Sequence, residues 1–159
     1  MRLSDLLCPE LVDPALAATR KDDVLRLLAV RVADRHSGID ADRLTSALCD
    51  RERTVSTALA EGVAIPHARV AGVDRIVAAF GRSLKGIDCD SHDGKHTHLF
   101  LVLVVPEHGP GSHLKLLAMA SRLLHDPRCR ARLMQAPDGA SLVEAMRAEE
   151  DRALGLRAA

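Results

Sequence analysis

The stretch HLFLVLVVP, residues 98–106, constrains the fold of this chain more than any other segment. Its apolar and β-branched side chains follow one another almost without interruption. Successive side chains of a strand point to opposite faces of the sheet, so a strand with this pattern is buried on both faces. The sequence therefore predicts a central strand here, in a sheet whose two faces are both covered by other parts of the chain.

Helical segments on both sides of this strand can supply the cover. Segments with helical periodicity lie at 21–36, 40–52, 112–125, 127–135 and 140–150. Shorter strands are predicted at 54–57, 63–65 and 75–84. Asp40, Ser112 and Ser141 are the predicted N-cap residues. This order predicts an α/β fold: a single three-layer domain over residues 1–150, with a mixed β-sheet flanked by helices on both faces. Residues 151–159 are predicted to form a frayed tail.

Composition narrows the classes of partner. The chain has 22 Lys and Arg against 22 Asp and Glu, neither Trp nor Tyr, and only two Phe. A nucleic-acid-binding domain normally has a basic surface, and base stacking needs aromatic side chains. No apolar run approaches the roughly 18 residues of a membrane helix, and the N-terminus lacks the apolar segment of a signal peptide. These features predict a cytoplasmic protein with no nucleic-acid partner and no membrane insertion.

A histidine follows the end of a short strand-like run within the segment EGVAIPHAR, residues 61–69. Pro66 fixes its own φ angle and removes a backbone donor, so His67 directly after it is held in a defined pose. An imidazole titrates near neutral pH and can act as a nucleophile or a proton carrier. A histidine at a strand end can equally be a structural residue that only makes hydrogen bonds, and the residues alone leave both interpretations open.

Two further side chains fit a phosphate-handling site together with His67. His113 lies near the start of the predicted helix 112–125, where unpaired backbone N–H groups and the positive end of the helix dipole favour anions. Arg51, at the end of the predicted helix 40–52, offers a guanidinium that can pair with two phosphate oxygens. A histidine nucleophile, a second histidine and an arginine suit phosphoryl transfer through a phosphohistidine.

Residues 52–68 resemble the active-site signature of the enzyme IIA domain of the phosphoenolpyruvate-dependent sugar phosphotransferase system. The resemblance is to the fructose/mannitol class, which includes the nitrogen-regulatory IIA proteins, and it rests on Glu52, Leu59 and the run AEGVAIPHA at 60–68. In that family the histidine after the proline accepts the phosphoryl group, which implies that His67 is phosphorylated. The family's arginine before the glutamate and its second histidine correspond to Arg51 and His113. Residues 3–150 follow the family's order of elements, although Ala68 stands where many members have glycine.

The resemblance implies a phosphocarrier rather than an enzyme acting on a small molecule. The donor would be the phosphohistidine of an HPr-like or NPr-like protein, and no metal or organic cofactor would be needed. The favoured role is that of a nitrogen-regulatory IIA protein. The alternatives are a sugar-specific IIA transport component, which would pass the phosphoryl group to a IIB component, and a non-catalytic IIA-like module that binds a regulatory target. A hydrolase using His67 and a cysteine is disfavoured because no cysteine lies in a suitable turn.

Other candidate residues receive simpler interpretations. The histidine-rich loop 90–98 holds oxygen and nitrogen donors that suit a metal on paper, but a polar loop between strands is expected to be a solvated turn. Its donors, with one acidic neighbour, are Asp88, Asp90, His92, Asp93 and His96. His108 is assigned to a solvated loop, and the four cysteines, which form no CxxC pair, are predicted to be reduced thiols. Arg128, Arg130 and Arg132 are predicted to point mostly to solvent, with docking of an acidic partner as the alternative.

Overall fold

The apolar run at 98–106 lies in the middle of one mixed sheet in the computed structural model, which describes residues 1–109 and 111–156. Its strands are β1 (Val12–Asp13), β2 (Val63–Ala64), β3 (His67–Val70), β4 (Val77–Ile87) and β5 (Thr97–Pro106). The helices are α1 (Lys21–Arg35), α2 (Ala41–Thr54), α3 (Ser112–His125), α4 (Pro127–Gln135) and α5 (Gly139–Ala153). Two 3-10 turns, Ser4–Leu6 and Pro9–Leu11, precede β1.

The sheet topology gives β5 a partner on each side. β4 pairs with it antiparallel along one edge, and β2 and β3 both pair with it in parallel along the other. β1 adds in parallel to the far side of β4. The predicted central strand and the predicted mixed sheet are therefore confirmed.

Alternate residues of β5 enter two separate cores. Leu99, Leu101 and Leu103 pack with side chains of α3, α4 and α5, whereas Phe100, Val102 and Val104 pack with α1 and α2. All six are at most 1% exposed. This alternation is what a strand covered on both faces requires, and it confirms the predicted three-layer arrangement.

The helix bounds agree with the sequence periodicity except at their ends. Asp40 caps α2, since its carboxylate accepts the N–H of Arg43 at 2.8 Å. Ser112 is not a cap, because the cap position of α3 is Gly111. Asp138 caps α5 and accepts the N–H of Ser141, so the predicted capping role of Ser141 is wrong. Pro110, which precedes α3 in the sequence, lies outside the described residues, as do residues 157–159.

Two predictions are wrong because arginine side chains make hydrogen bonds or ion pairs with neighbouring elements of the fold. Residues 151–153, predicted to fray, belong to α5, where Arg152 pairs with Asp126 and Glu149. Arg130, predicted to face solvent, has a side chain only 17% exposed and donates to the carbonyls of Leu124 and His125 at the end of α3.

The predicted strand at 54–57 is also absent from the described residues. Helix α2 continues to Thr54, and between α2 and β2 the chain makes only an isolated bridge from Ala58 to Ala64. The buried carboxylate of Glu52 explains this local path, because it accepts hydrogen bonds from the N–H and hydroxyl of Thr57. Those donors are thereby used within the turn rather than in a strand ladder.

Candidate functional site

His67 is the first residue of β3, and the edge of the sheet is interrupted just before it. β2 and β3 run along the same side of β5, separated by Ile65 and Pro66. In the register of the sheet His67 pairs with Leu103, towards the carboxyl end of β5. His67 therefore follows the carboxyl end of β2 and is the first residue of β3.

The interruption between β2 and β3 also sets the tautomer of His67. Its Nδ1 lies 2.9 Å from the carbonyl oxygen of Ile65, two residues earlier. A carbonyl only accepts hydrogen bonds, so Nδ1 carries the proton and Nε2 presents a lone pair. The residue is half-buried, so part of it remains accessible to a reactant.

The face of the sheet towards which His67 points follows from its neighbour. Ala68 belongs to the core formed with α1 and α2. Successive side chains of a strand alternate between faces, so His67 and Arg69 both lie on the opposite face, the side of α3.

His113 lies in the first turn of α3 and is electrostatically coupled to His67. Burial lowers the pKa of the His113 imidazole, and the positive charge of Arg69, together with that of His67 when its ring is protonated, lowers it further. At neutral pH the ring is therefore held neutral. Its Nδ1 is buried and has no hydrogen-bond partner among residues 1–109 and 111–156. The two predicted histidines thus lie near enough for the charge of one to act on the other.

Arg51 is placed differently from the two histidines. It lies in the last turn of α2, which packs on the other face of the sheet, and its guanidinium donates to the carbonyl of Val55 at 2.9 Å. The structure thus places Arg51 across β3 from the side on which His113 lies.

Arg69 is a residue of this site that the sequence reasoning missed. It is exposed, lies on the same face of β3 as His67, and its charge acts on His113. The signal that could have identified it is its spacing: two residues after a strand-bound histidine is the next position on the same face.

Glu52 supports the segment that leads to the site. Its carboxylate is 7% exposed and binds the N–H of Thr57 at 2.9 Å, the Ser56 hydroxyl at 3.1 Å and the Lys21 ammonium at 3.2 Å. Burial alone would raise the pKa of this carboxyl, but the hydrogen bonds from Thr57 and Lys21 outweigh burial and hold it below its ordinary value. The ionised carboxylate therefore anchors the turn before β2.

We expect Glu52→Gln to lower the free energy of unfolding by about 1–3 kcal/mol at neutral pH, because buried donors lose a charged acceptor. The folded pKa lies below the ordinary glutamate value of 4.5, so the carboxylate stabilises the fold fully above about pH 4.5 and less as pH falls through the folded pKa. The difference between wild type and variant should therefore shrink in acid, as measured by urea unfolding at several pH values. Asp42→Asn, whose partner side chain is exposed, is the control. A difference that stays constant down to pH 3 would contradict this account.

The turn at Glu61 and Gly62 connects the site to the histidine-rich loop. Both residues have positive φ, 64° and 78°, and a Cβ on Gly62 would lie 3.1 Å from the His96 carbonyl oxygen. The Glu61 N–H donates to Asp93 at 2.8 Å, which together with the Ser91 hydroxyl and Lys95 N–H lowers the pKa of Asp93 to about 2. The acidic end of this loop therefore holds the turn that begins the edge strand.

Side chains of the histidine-rich loop and of the strand that follows it make structural hydrogen bonds. His98 bonds through Nδ1 to the Ser83 carbonyl at 2.8 Å. In the part of the chain that the structure describes, no group of three or more His, Cys, Asp or Glu side chains is arranged to hold a metal ion. His108 lies exposed in the loop after β5.

The matches to known proteins agree with one another. Residues 5–148 match the family model described as "Phosphoenolpyruvate-dependent sugar phosphotransferase system, EIIA 2". A nitrogen regulatory protein of Bradyrhizobium diazoefficiens is 34% identical over 142 residues, which cover 89% of this chain and 92% of that protein. The fructose-specific EIIABC component of Bacillus subtilis is 31% identical over 91% of this chain, which matches 23% of that longer protein. The crystal structure of the nitrogen regulatory protein IIA-Ntr from Neisseria meningitidis superposes with a TM-score of 0.84 at 26% identity, covering 91% of this chain and 98% of the other.

Proposed function

The chain belongs to the enzyme IIA type 2 family of the phosphoenolpyruvate-dependent sugar phosphotransferase system, and from this premise we propose that it is a phosphocarrier whose acceptor is His67. The observation that supports this most is the hydrogen bond of His67 Nδ1 to the Ile65 carbonyl, 2.9 Å long. It leaves Nε2 as the unprotonated nitrogen on the α3 side of the sheet. An imidazole posed in this way is ready to attack phosphorus before any partner arrives.

The proposed transfer step uses these two nitrogens differently. The Nε2 lone pair forms a bond to phosphorus while the phosphorus–nitrogen bond of the donor phosphohistidine breaks. The bonding pair returns to the donor ring, which leaves as a neutral imidazole when its other nitrogen carries a proton. The ring of phosphorylated His67 becomes cationic, and the Ile65 carbonyl accepting from Nδ1–H stabilises that charge.

The second histidine is proposed to bind the phosphoryl oxygens. His113 is neutral when the site is empty, because burial and nearby positive charges lower its pKa. A phosphoryl dianion next to it would favour the imidazolium and supply a hydrogen-bond acceptor. We include Arg51 in the site on the family resemblance, with its guanidinium leaving the Val55 carbonyl for the phosphoryl group.

The proposed role is regulatory, as in the nitrogen regulatory relatives. Support comes from the 34% identical Bradyrhizobium protein and from the IIA-Ntr fold of Neisseria. The fructose-specific match at 31% identity supports a sugar-transport IIA component as the second candidate. The proposed donor is an HPr-like or NPr-like phosphocarrier, and the proposed receiver is a regulatory target or, for the second candidate, a IIB component.

Intact mass after incubation with phosphoenolpyruvate, enzyme I and an HPr-type or NPr-type protein tests the function. A phosphate-sized gain in mass is expected for the wild-type protein. Its absence with both donors would contradict the phosphocarrier function and favour a non-catalytic binding module. Addition of a fructose-type IIB protein to the phosphorylated chain separates the two roles: rapid loss of the phosphoryl group to IIB would favour transport.

No helix in the described part of the chain is both long and apolar enough to cross a membrane, and a cytoplasmic location stays a prediction.

His113→Ala is expected to slow phosphoryl uptake by about 10- to 100-fold while leaving the acceptor intact, since one stabilising donor is removed from the transferring group. Quenched-flow sampling with mass detection measures the rate. His125→Ala, at the other end of the same helix, serves as the control and should react like wild type. An unchanged rate in the His113 variant would remove this residue from the site.

A further inference from the structure

The exposed guanidinium beside His67 has a role that the family resemblance does not assign. We propose that Arg69 binds the phosphoryl oxygens once His67 is phosphorylated and thereby favours the phosphorylated state of this chain. The inference rests on the proposed function of His67. It adds a second cation to the site, on the strand that carries the acceptor itself.

Position is the first argument. His67 and Arg69 are alternate residues of β3, so they share a face and their Cα atoms lie roughly 7 Å apart. Arginine is long enough to bridge this spacing towards a group attached to the Nε2 of His67. Its planar fork of donors also matches two phosphoryl oxygens at once.

Availability is the second argument. Arg69 donates to the Pro106 carbonyl at 3.3 Å, longer than an ordinary hydrogen bond. Across residues 1–109 and 111–156, no carboxylate lies within 4.0 Å of its guanidinium. Arg69 can therefore exchange a weak neutral acceptor for a dianion without breaking an ion pair.

Electrostatic coupling within the site is the third argument. The charge of Arg69 acts on His113, and Arg69 shares a face of β3 with His67, so the three side chains lie on the same side of the sheet. With His67 unphosphorylated, the positive charge of Arg69 disfavours the protonated form of His113. A phosphoryl dianion on His67 would attract both of these side chains. Arg51, by contrast, is bound to Val55 on the other face.

The test compares Arg69→Gln, Arg69→Lys and wild type in the phosphorylated state. Phosphorus NMR titration reports the second ionisation of the phosphoryl group, and the midpoint in Arg69→Gln should rise by about one pH unit, because a nearby cation favours the dianion. The equilibrium constant for transfer from the donor phosphocarrier should fall by about tenfold. Arg69→Lys, which keeps the charge, should recover most of the midpoint shift, which a purely structural role would not produce. Arg147→Gln, an exposed position on α5, is the matched control.

The outcomes separate this inference from the function on which it rests. If wild-type protein takes up phosphate and Arg69→Gln has the wild-type midpoint and equilibrium constant, the inference is overturned and the phosphocarrier stands. If wild-type protein takes up no phosphate, both fall. A raised midpoint that lysine restores, with Arg147→Gln unchanged, supports the role of Arg69. Because the midpoint is read on folded, phosphorylated molecules, a change in the stability of the variant does not imitate it.

Discussion

His67→Ala is expected to abolish phosphoryl uptake, with no phosphate-sized mass gain after incubation with phosphoenolpyruvate, enzyme I and an HPr-type or NPr-type protein. Among the described residues of this site, no other nitrogen is positioned to form the phosphorus–nitrogen bond. Since His113 is held neutral but its Nδ1 is buried, it is not expected to substitute. His67→Gln, which can still donate to the Ile65 carbonyl, should be equally inactive.

The control for this substitution is another histidine with the same kind of bond. His98 also bonds through Nδ1 to a carbonyl, that of Ser83 at 2.8 Å, and it too is half-buried. His98→Ala should retain uptake, provided that circular dichroism shows the fold intact. Phosphorylation that persists in His67→Ala, mapped to another residue by peptide mass, would show that the acceptor has been misassigned.

Arg82→Leu is expected to lower the free energy of unfolding by about 3–5 kcal/mol, the largest effect on stability that we predict. The Arg82 side chain projects from β4, and the residue is 4% exposed. It donates to the carbonyls of Leu133, Met134 and Ala136 at the end of α4, and to that of Pro14, at 2.6–3.2 Å. The last carbonyls of a helix lack partners within it, so leucine would leave several buried acceptors unsatisfied.

Chemical unfolding in urea measures this loss, with Arg26→Leu as a control. Arg26 makes only an exposed ion pair with Asp42 at 3.4 Å, so its replacement should change stability by less than about 1 kcal/mol. Arg82→Lys should fall between wild type and leucine, because an ammonium keeps the charge but cannot reach four carbonyls. An Arg82→Leu protein as stable as the Arg26 variant would contradict the anchoring role of the guanidinium.

These two residues also show what the sequence can and cannot reveal. The pose of His67 was predictable because it depends on neighbours: a proline before it and a carbonyl two residues away. The burial of Arg82 was not, because in the segment RIVAAFGRSL an arginine indicates a solvent-facing position, whereas its partners lie 51 to 68 residues away. Spacing indicates that Arg69 shares a face with His67, but which helix covers that face, and on which face Arg51 lies, become known only when α2 and α3 are placed.

The interrupted edge strand has a consequence for how copies of this protein behave at high concentration. Among the described residues β3 pairs with β5 alone, so its outer side is open to pairing with a strand of another molecule. Pro66 cannot donate to such a pairing, and the charge of Arg69 disfavours a second strand of the same sequence beside it. Pro66, which positions the acceptor histidine, thus also protects β3 against aggregation. We expect any substitution of Pro66 to change solubility as well as phosphoryl transfer.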